Sequence, residues 1–400
     1  MKLLNKSNIL RDFLKNKNEV SALKLIDHAR YHQLNDSEII DLATGLANSG
    51  ELIKNENDIT YCDIPSTGGP SSLSTLLCPL FLTVFGGKVL KLAVPGRPAG
   101  GVDVLAQIRG YKVNLSISEL HEWVSQNRYV HFLADDSFAP LDSMLFSLRK
   151  ANNALNVPAF VIASILSKKI AVGIKNIGLD IRVSNFGNFG NTFKEARTNA
   201  IQFNSVARAL NIKSRCFLTN GDIPQQPYIG RGESILALNR IFKNEADWSL
   251  KRHLAICYRM ANSLFNNANI EIQVSSLKEV FDLNIKTQGG DIDHFNSLSN
   301  DIEVQNRYII KSNRSGILSI NLLKIRKAIT EIQRRATEIQ FPDPCGLILK
   351  VMPDEYVERG TDICSFRCVS EYKEDFEAML TDAFDVSNQS TQLHGIEIIE

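Results

Sequence analysis

The sequence predicts an α/β protein with a mainly parallel sheet, and three observations carry that expectation. Between Asp58 and Gly110 thirteen glycines and prolines, mostly in tight clusters, separate short apolar runs such as Leu76–Val84 and Val89–Val94. Strand, glycine-rich loop and helix in alternation are how a parallel sheet is written in a sequence. Two segments of helical periodicity, 1–50 and 141–172, lie on either side of that region. Near Phe341-Pro342-Asp343-Pro344 the pattern changes to β-type alternation, which marks a further boundary. A chain of 400 residues and 44.7 kDa has room for two or three such domains.

The elements follow in order. Ile9, Phe13, Ala22, Leu25, Ile26 and Ala29 recur near helical spacing, and Asn35-Asp36-Ser37-Glu38 reads as the capped start of a helix ending at Ala47, before Ser49-Gly50. A helix is expected over Ser72–Leu82 and a strand over Val89–Val94. Helix returns over 141–172, followed by a buried strand at Ile177–Val183 and an amphipathic helix from Thr192 to Ala209. Residues 255–335 read as mostly helical, with Asn296–Asn306 as a surface excursion; Gly346–Val351 alternates as a strand does.

Composition excludes several classes of function. Lys and Arg total 45 against 44 Asp and Glu, so bulk positive charge holds no nucleic acid. No apolar run reaches the roughly 18–20 residues of a membrane helix. The start, MKLLNKSNILRDFLKNKNEV, has no apolar core and is not read as a secretory signal. A soluble cytoplasmic protein is expected. Seven cysteines form no disulfide framework, with Cys364 and Cys368 separated by three residues, and the histidines at 28, 32, 121, 131, 253, 294 and 394 lack metal-ligand spacing. No metal or cofactor is therefore expected.

Three motifs can carry chemistry. In Asp63–Thr75 small hydroxyls and adjacent glycines (Ser66, Thr67, Gly68, Gly69, Thr75) follow a predicted strand, so the backbone can approach an anion at a helix N-terminus. The alternative is an exposed Ser/Gly turn; the loop is neither a P-loop nor a dinucleotide fingerprint. Pro95–Asp103 repeats the logic, with Arg97 able to clamp an anion in a fork or to sit as a surface arginine. Two such loops after successive strands converge on one sheet edge. The third motif is Arg149 followed by Ser164 and Lys168, the last two sharing a helix face four residues apart. They either present donors to a planar ligand, or Lys168 snorkels to water from the border of an apolar helix.

In this order, Ser66-Thr67-Gly68-Gly69, the Gly/Arg loop ending in Asp103, Ala139-Pro140-Leu141-Asp142 and Ala163–Lys169 resemble the thymidine and pyrimidine nucleoside phosphorylases. The archaeal-type nucleoside-monophosphate phosphorylases look similar too, at Asp63-Ile64 and Ser164–Asn176. The resemblance covers residues 35–370, and includes Gln226-Pro227 and Gly230-Arg231-Gly232. It implies a helical lobe from 1–55 and 141–172, an α/β lobe from 56–140 and 173–335, and a small barrel-like α+β C-terminal domain over 336–400. It also implies a pentosyltransferase, a homodimer in the family's usual form, whose partners are a pyrimidine nucleoside and phosphate. By position, Arg149, Ser164 and Lys168 would hold the pyrimidine, Arg149 and Lys168 would also stabilise the leaving base, and Asp142 matches an acidic position read as a proton donor. Ser66, Thr67, Gly68, Gly69, Thr75 and Arg97 would hold phosphate.

The phosphate side departs from the family's D-K-H-S-T-G-G: its Lys and His positions are Ile64 and Pro65, and Pro95 and Gly101 or Val102 stand where hydroxyl residues are expected. Charge-assisted contacts are worth about 1.5–3 kcal/mol each. The departures therefore keep two alternatives in view: another acceptor on the same base site, as in a nucleosidase, or a non-catalytic pyrimidine-binding protein.

Overall fold

The computed structural model describes residues 6–53, 59–134, 137–265, 271–336, 339–387 and 396–400. Residues 1–5 of the first predicted helical segment, and His394, lie outside them. The chain forms two compact units: residues 1–67, 134–218 and 397–400 make the first, and residues 68–133 and 219–396 the second.

The first unit begins with α1 (Lys6–Asn16), α2 (Glu19–Tyr31) and α3 (Asp36–Ala47). The start of α3 is a capping box, with the Asn35 side chain accepting from Glu38 N–H and the Glu38 carboxylate accepting from Asn35 N–H. One face of α3, Ile39, Leu42, Ala43 and Leu46, is fully buried. The short strand β1 (Tyr61–Asp63) ends the run. The second unit follows with α4 (Ser74–Val84), β2 (Lys88–Ala93), the single turn α5 (Val102–Leu105), α6 (Ile117–Asn127) and β3 (Tyr129–Leu133). Every residue from Ser74 to Thr83 is buried, as expected of a helix that is apolar on all sides. β2 and β3 pair in parallel, and β3 is sealed by a side chain. The Gln288 amide accepts from His131 N–H at 2.8 Å and donates to His131 O at 2.9 Å, imitating a further strand.

The chain then returns to the first unit as α7 (Pro140–Ala151), α8 (Pro158–Ala171), β4 (Ile174–Val183), α9 (Phe193–Ala209) and β5 (Lys213–Asn220). Both α7 and α8 open on a proline at the first turn, where its missing N–H costs nothing. α8 packs on α3 and on β4. β1 and β4 pair in parallel, and β4 is buried along all but one position although it carries Asn176, Asp180 and Arg182. A buried ion pair, Lys169 Nζ to Asp63 Oδ2 at 2.7 Å, ties α8 to β1.

The rest of the second unit comprises β6 (Tyr228–Ile229), α10 (Arg231–Phe242), α11 (Trp248–Phe265), α12 (Val274–Thr287), α13 (Ile292–Val304), β7 (Tyr308–Lys311), β8 (Gly316–Ile320), α14 (Leu322–Arg335), β9 (Cys345–Leu349), β10 (Tyr356–Val357), β11 (Asp362–Cys368), α15 (Lys373–Thr381) and β12 (Phe384–Ser387). The last strand, β13 (Glu397–Ile399), pairs antiparallel with β5 in the first unit. The surface excursion expected at Asn296–Asn306 is instead most of α13: Phe295, Ser299 and Ile302 are buried at helical spacing, and the other faces are polar enough to hide the pattern. The stretch read as mostly helical also holds β7 and β8, which precede residue 336 yet share an apolar core with β9, β11 and α15.

Beside that core, β11 and α10 share a charged cluster. Arg367 is fork-bonded to Glu233 at 2.8 and 2.9 Å and reaches Asp343 at 2.6 Å, while Arg307 reaches Glu233 at 3.0 Å. Burial, opposed by Arg367 and reinforced by the Glu233 charge, pushes the Asp343 carboxyl up to about 6. Between 3.8, the ordinary value of the unfolded chain, and about 6, the folded protein holds a proton that the unfolded chain has released. Asp343 thus favours folding most below that lower value, and the benefit is lost as pH rises towards 6. Asp343→Asn is expected to flatten the fall in stability between pH 4 and 6, measured as urea midpoints across that range; an unaltered slope refutes the assignment.

Candidate active site

The predicted base-site residues sit on α7 and α8 of the first unit. Asp142, in the first turn of α7, is fully buried. Its Oδ2 accepts from Ser164 Oγ at 3.0 Å and is ion-paired with Lys168 Nζ. Lys168 Nζ also lies 3.2 Å from Ser164 Oγ and 3.3 Å from Ser164 O. Asp142 Oδ1 is buried with no hydrogen-bond partner in the structure. The Lys168 side chain is 17% exposed, so it turns to the carboxylate rather than snorkelling freely into water. The helix face needed for this is supplied by Val161, Ile162 and Leu166, which are buried, whereas Ile165 and Ile170 are half-buried.

Arg149, at the end of α7, is 2% exposed and turned onto backbone carbonyls: Nε to Ala154 O at 3.3 Å, Nη1 to Phe160 O at 3.4 Å and Nη2 to Leu155 O at 3.1 Å. Its guanidinium also lies 5.3 Å from the Phe160 ring centre. Burial lowers its pKa to about 10 against the supporting charge of Asp142, so it stays cationic at neutral pH. Of five guanidinium N–H groups, those three contacts leave two. Asp142, Ser164 and Lys168 make one compact cluster, whereas Arg149 faces backbone carbonyls and shares with it only the charge of Asp142.

The predicted anion loops are divided by the chain itself, which passes from the first unit to the second between Thr67 and Gly68. In the first unit Ser66 bridges to Asp180 on β4, and Thr67 accepts from Arg182 N–H at 2.9 Å while donating its own N–H to Asp180 O. Ile64 is fully buried against Gly178, where an added Cβ would meet the Ile64 side chain at 2.9 Å. In the second unit Gly68 and Gly69 have left-handed φ, and Thr75 is buried in the first turn of α4. The N–H of Leu73, just ahead of α4, donates to His253 Nε2 at 2.9 Å, so this histidine is an acceptor for the loop. Ser71 Oγ accepts from Gln225 N–H at 3.0 Å. Arg97 is half-buried, with its N–H 3.3 Å from Asp103 Oδ2.

Sequence reasoning passed over Asp180, Arg182, His253 and the Asp103–Arg231 pair. Asp180 and Arg182 pair with each other at 2.8 Å on β4, whereas the partners of His253 and Asp103 are distant in sequence, and only the Gly-Arg-Gly motif gave a signal. A cavity of about 470 Å³ in the first unit, lined by Asn156, Pro158, Gly187, Asn191, Lys194 and Thr198 among others, includes none of the predicted site residues. No helix among the described residues is long and apolar enough to cross a membrane.

No family model matches this chain. It is 25% identical over 382 residues to the pyrimidine-nucleoside phosphorylase of Staphylococcus haemolyticus, covering 90% of this chain and 87% of that one. Over 248 residues it is 26% identical to the thymidine phosphorylase of Colwellia psychrerythraea, covering 61% and 56% of the two chains. Among solved structures, the anthranilate phosphoribosyltransferase of Thermus thermophilus matches with a TM-score of 0.50 at 13% identity, covering 76% of this chain and 97% of that one, a likeness of fold. The chain is a divergent homologue of the pyrimidine-nucleoside and thymidine phosphorylases, built on a fold it shares with a phosphoribosyltransferase.

Proposed function

We propose that the protein is a pentosyltransferase that cleaves the N-glycosidic bond of a pyrimidine nucleoside with inorganic phosphate as acceptor. The observation that carries this reading is the joining of Asp142, Ser164 and Lys168 into one buried cluster, in a chain homologous over most of its length to named pyrimidine-nucleoside phosphorylases. Arg149, Ser164 and Lys168 hold the base. As the bond breaks through an oxocarbenium-like state, Lys168 and Arg149 stabilise charge on the departing ring. The ion-paired Asp142 and Lys168 together hold the proton that the site can donate. Phosphate, held by Ser66, Thr67, Gly68, Gly69, Thr75 and Arg97, attacks the sugar carbon, and fixed orientation lowers the barrier. A homodimer working in the cytoplasm completes the reading.

One observation favours a second acceptor. Ile64 is buried in apolar surroundings and Pro65 carries no donor, so the cation expected beside the first loop is absent from both positions. Water, or another nucleophile, would then replace phosphate on the same base site. Uridine and thymidine incubated with enzyme, with and without phosphate, decide between the two. Phosphorolysis requires base release only when phosphate is present; release that is indifferent to phosphate overturns it.

A further inference from the structure

We infer that Arg231 is the positioning residue of the second glycine loop, setting affinity for the acceptor anion without touching it. Arg231 opens α10 and is 3% exposed. Its Nη2 donates to Asp103 Oδ1 at 3.1 Å and to Arg97 O at 3.3 Å, and its Nη1 donates to Pro342 O. Asp103, fully buried, accepts from Gly96 N–H at 2.9 Å and Arg97 N–H at 3.3 Å. Gln333 donates to Pro98 O at 3.3 Å. Four backbone groups between Gly96 and Pro98 are thus fixed by three buried side chains, two of them the paired Arg231 and Asp103.

What the pair holds in place is the approach to Thr75. Gly100 and Gly101 take left-handed φ of +81° and +72°, and a Cβ at Gly100 would lie 3.0 Å from Ser72 O and 3.3 Å from Thr75 Oγ1. The loop is pressed against the start of α4, so it forms one assembly with the second-unit part of the first loop. An anion site needs its donors fixed before the ligand arrives. A guanidinium suits the task, since three oxygens in different directions need its planar fork; an ammonium on a flexible stem is a poor replacement. Free of Arg231, Asp103 would keep a buried charge without its cation, and the 96–101 backbone would lose its fixed course. The Gly-Arg-Gly motif thereby acquires a role as the brace of the loop that carries Arg97.

The inference rests on the phosphorolysis reading. Base release by wild type, R231K and R231M is followed with phosphate varied at saturating nucleoside, and then with the two exchanged. R231M is expected to raise the KM for phosphate about tenfold or more while the nucleoside KM stays within about twofold, and R231K to fall between R231M and wild type. A phosphate KM unchanged in R231M, or both KM values raised alike, overturns the inference. Should R231M not fold, R231K decides: a phosphate KM equal to wild type overturns it, and a selective rise sustains it. If wild type shows no phosphate-dependent turnover, the phosphorolysis reading fails by itself, and thermal melting with inorganic phosphate decides the brace. A rise in wild-type Tm that R231K lacks sustains it; no rise, or an equal rise in both, overturns it.

Discussion

Lys168→Met is expected to lower pyrimidine base release by about 10²–10³-fold, the usual cost of removing one group that stabilises charge in a transition state. The Lys168 ammonium is the cation paired with Asp142, and it lies on the same face of α8 as Ser164. Its loss has a second, separable consequence. Asp142 is fully buried, and the Ser164 hydroxyl is the contact it would retain, so the folded state then carries a carboxylate without its cation. Removing one partner of a buried pair costs about 3–5 kcal/mol; the lysine is partly exposed, which places the loss towards the lower figure. The companion variant Lys168→Met with Asp142→Asn removes both charges and should regain most of the stability but none of the activity. Urea midpoints and initial rates on the three proteins check both halves. Activity within threefold of wild type in Lys168→Met refutes the role of this lysine.

Glu233→Ala is expected to cost about 3–5 kcal/mol of stability, because the buried Glu233 is the shared carboxylate of the buried Arg367 and the half-buried Arg307. Glu233 is fully buried and Arg367 is 4% exposed; without the glutamate, Arg367 keeps Asp343, and Arg307 loses its ion-pair partner. The surroundings offer no relief by packing. A Cβ on Gly346 would fall 1.7 Å from Glu233 Oε2, and one on Gly230 2.1 Å from the same atom, so glycine is what makes room for the carboxylate. Both tryptophans, Trp123 and Trp248, lie in the second unit with this cluster. Intrinsic fluorescence during urea unfolding therefore reports the unit in question. A loss below about 1 kcal/mol would show that the cluster contributes specificity rather than stability.

The legible part of the fold was written in short-range chemistry. The capped start at Asn35–Glu38, the helix opening at Thr192 and the buried run of β4 were all visible, since caps and periodicity act within a few residues. α13 was missed because a helix with three buried positions carries a weak apolar signal. β7 and β8 were missed because short strands are stabilised by partners far away, here β11 for β7 and β12 for β8.

The site divides along the same line. Ser164 and Lys168 could be placed on one face from a four-residue step, and the resemblance added Arg149 and Asp142. That Asp142 pairs with Lys168 depends on how α7 meets α8, and that Arg149 turns onto three carbonyls depends on the chain between them. By itself the sequence determined the α/β class, the helices with strong caps, and a set of residues matching a nucleoside phosphorylase with a changed loop at Ile64-Pro65. Only the tertiary structure decided which charges neutralise one another: Lys168 with Asp142, Arg231 with Asp103, Arg367 with Glu233 and Asp343. The physical reason is distance. Caps and periodicity are local in the chain, whereas a buried charge takes its partner from whichever element the fold brings within hydrogen-bond reach.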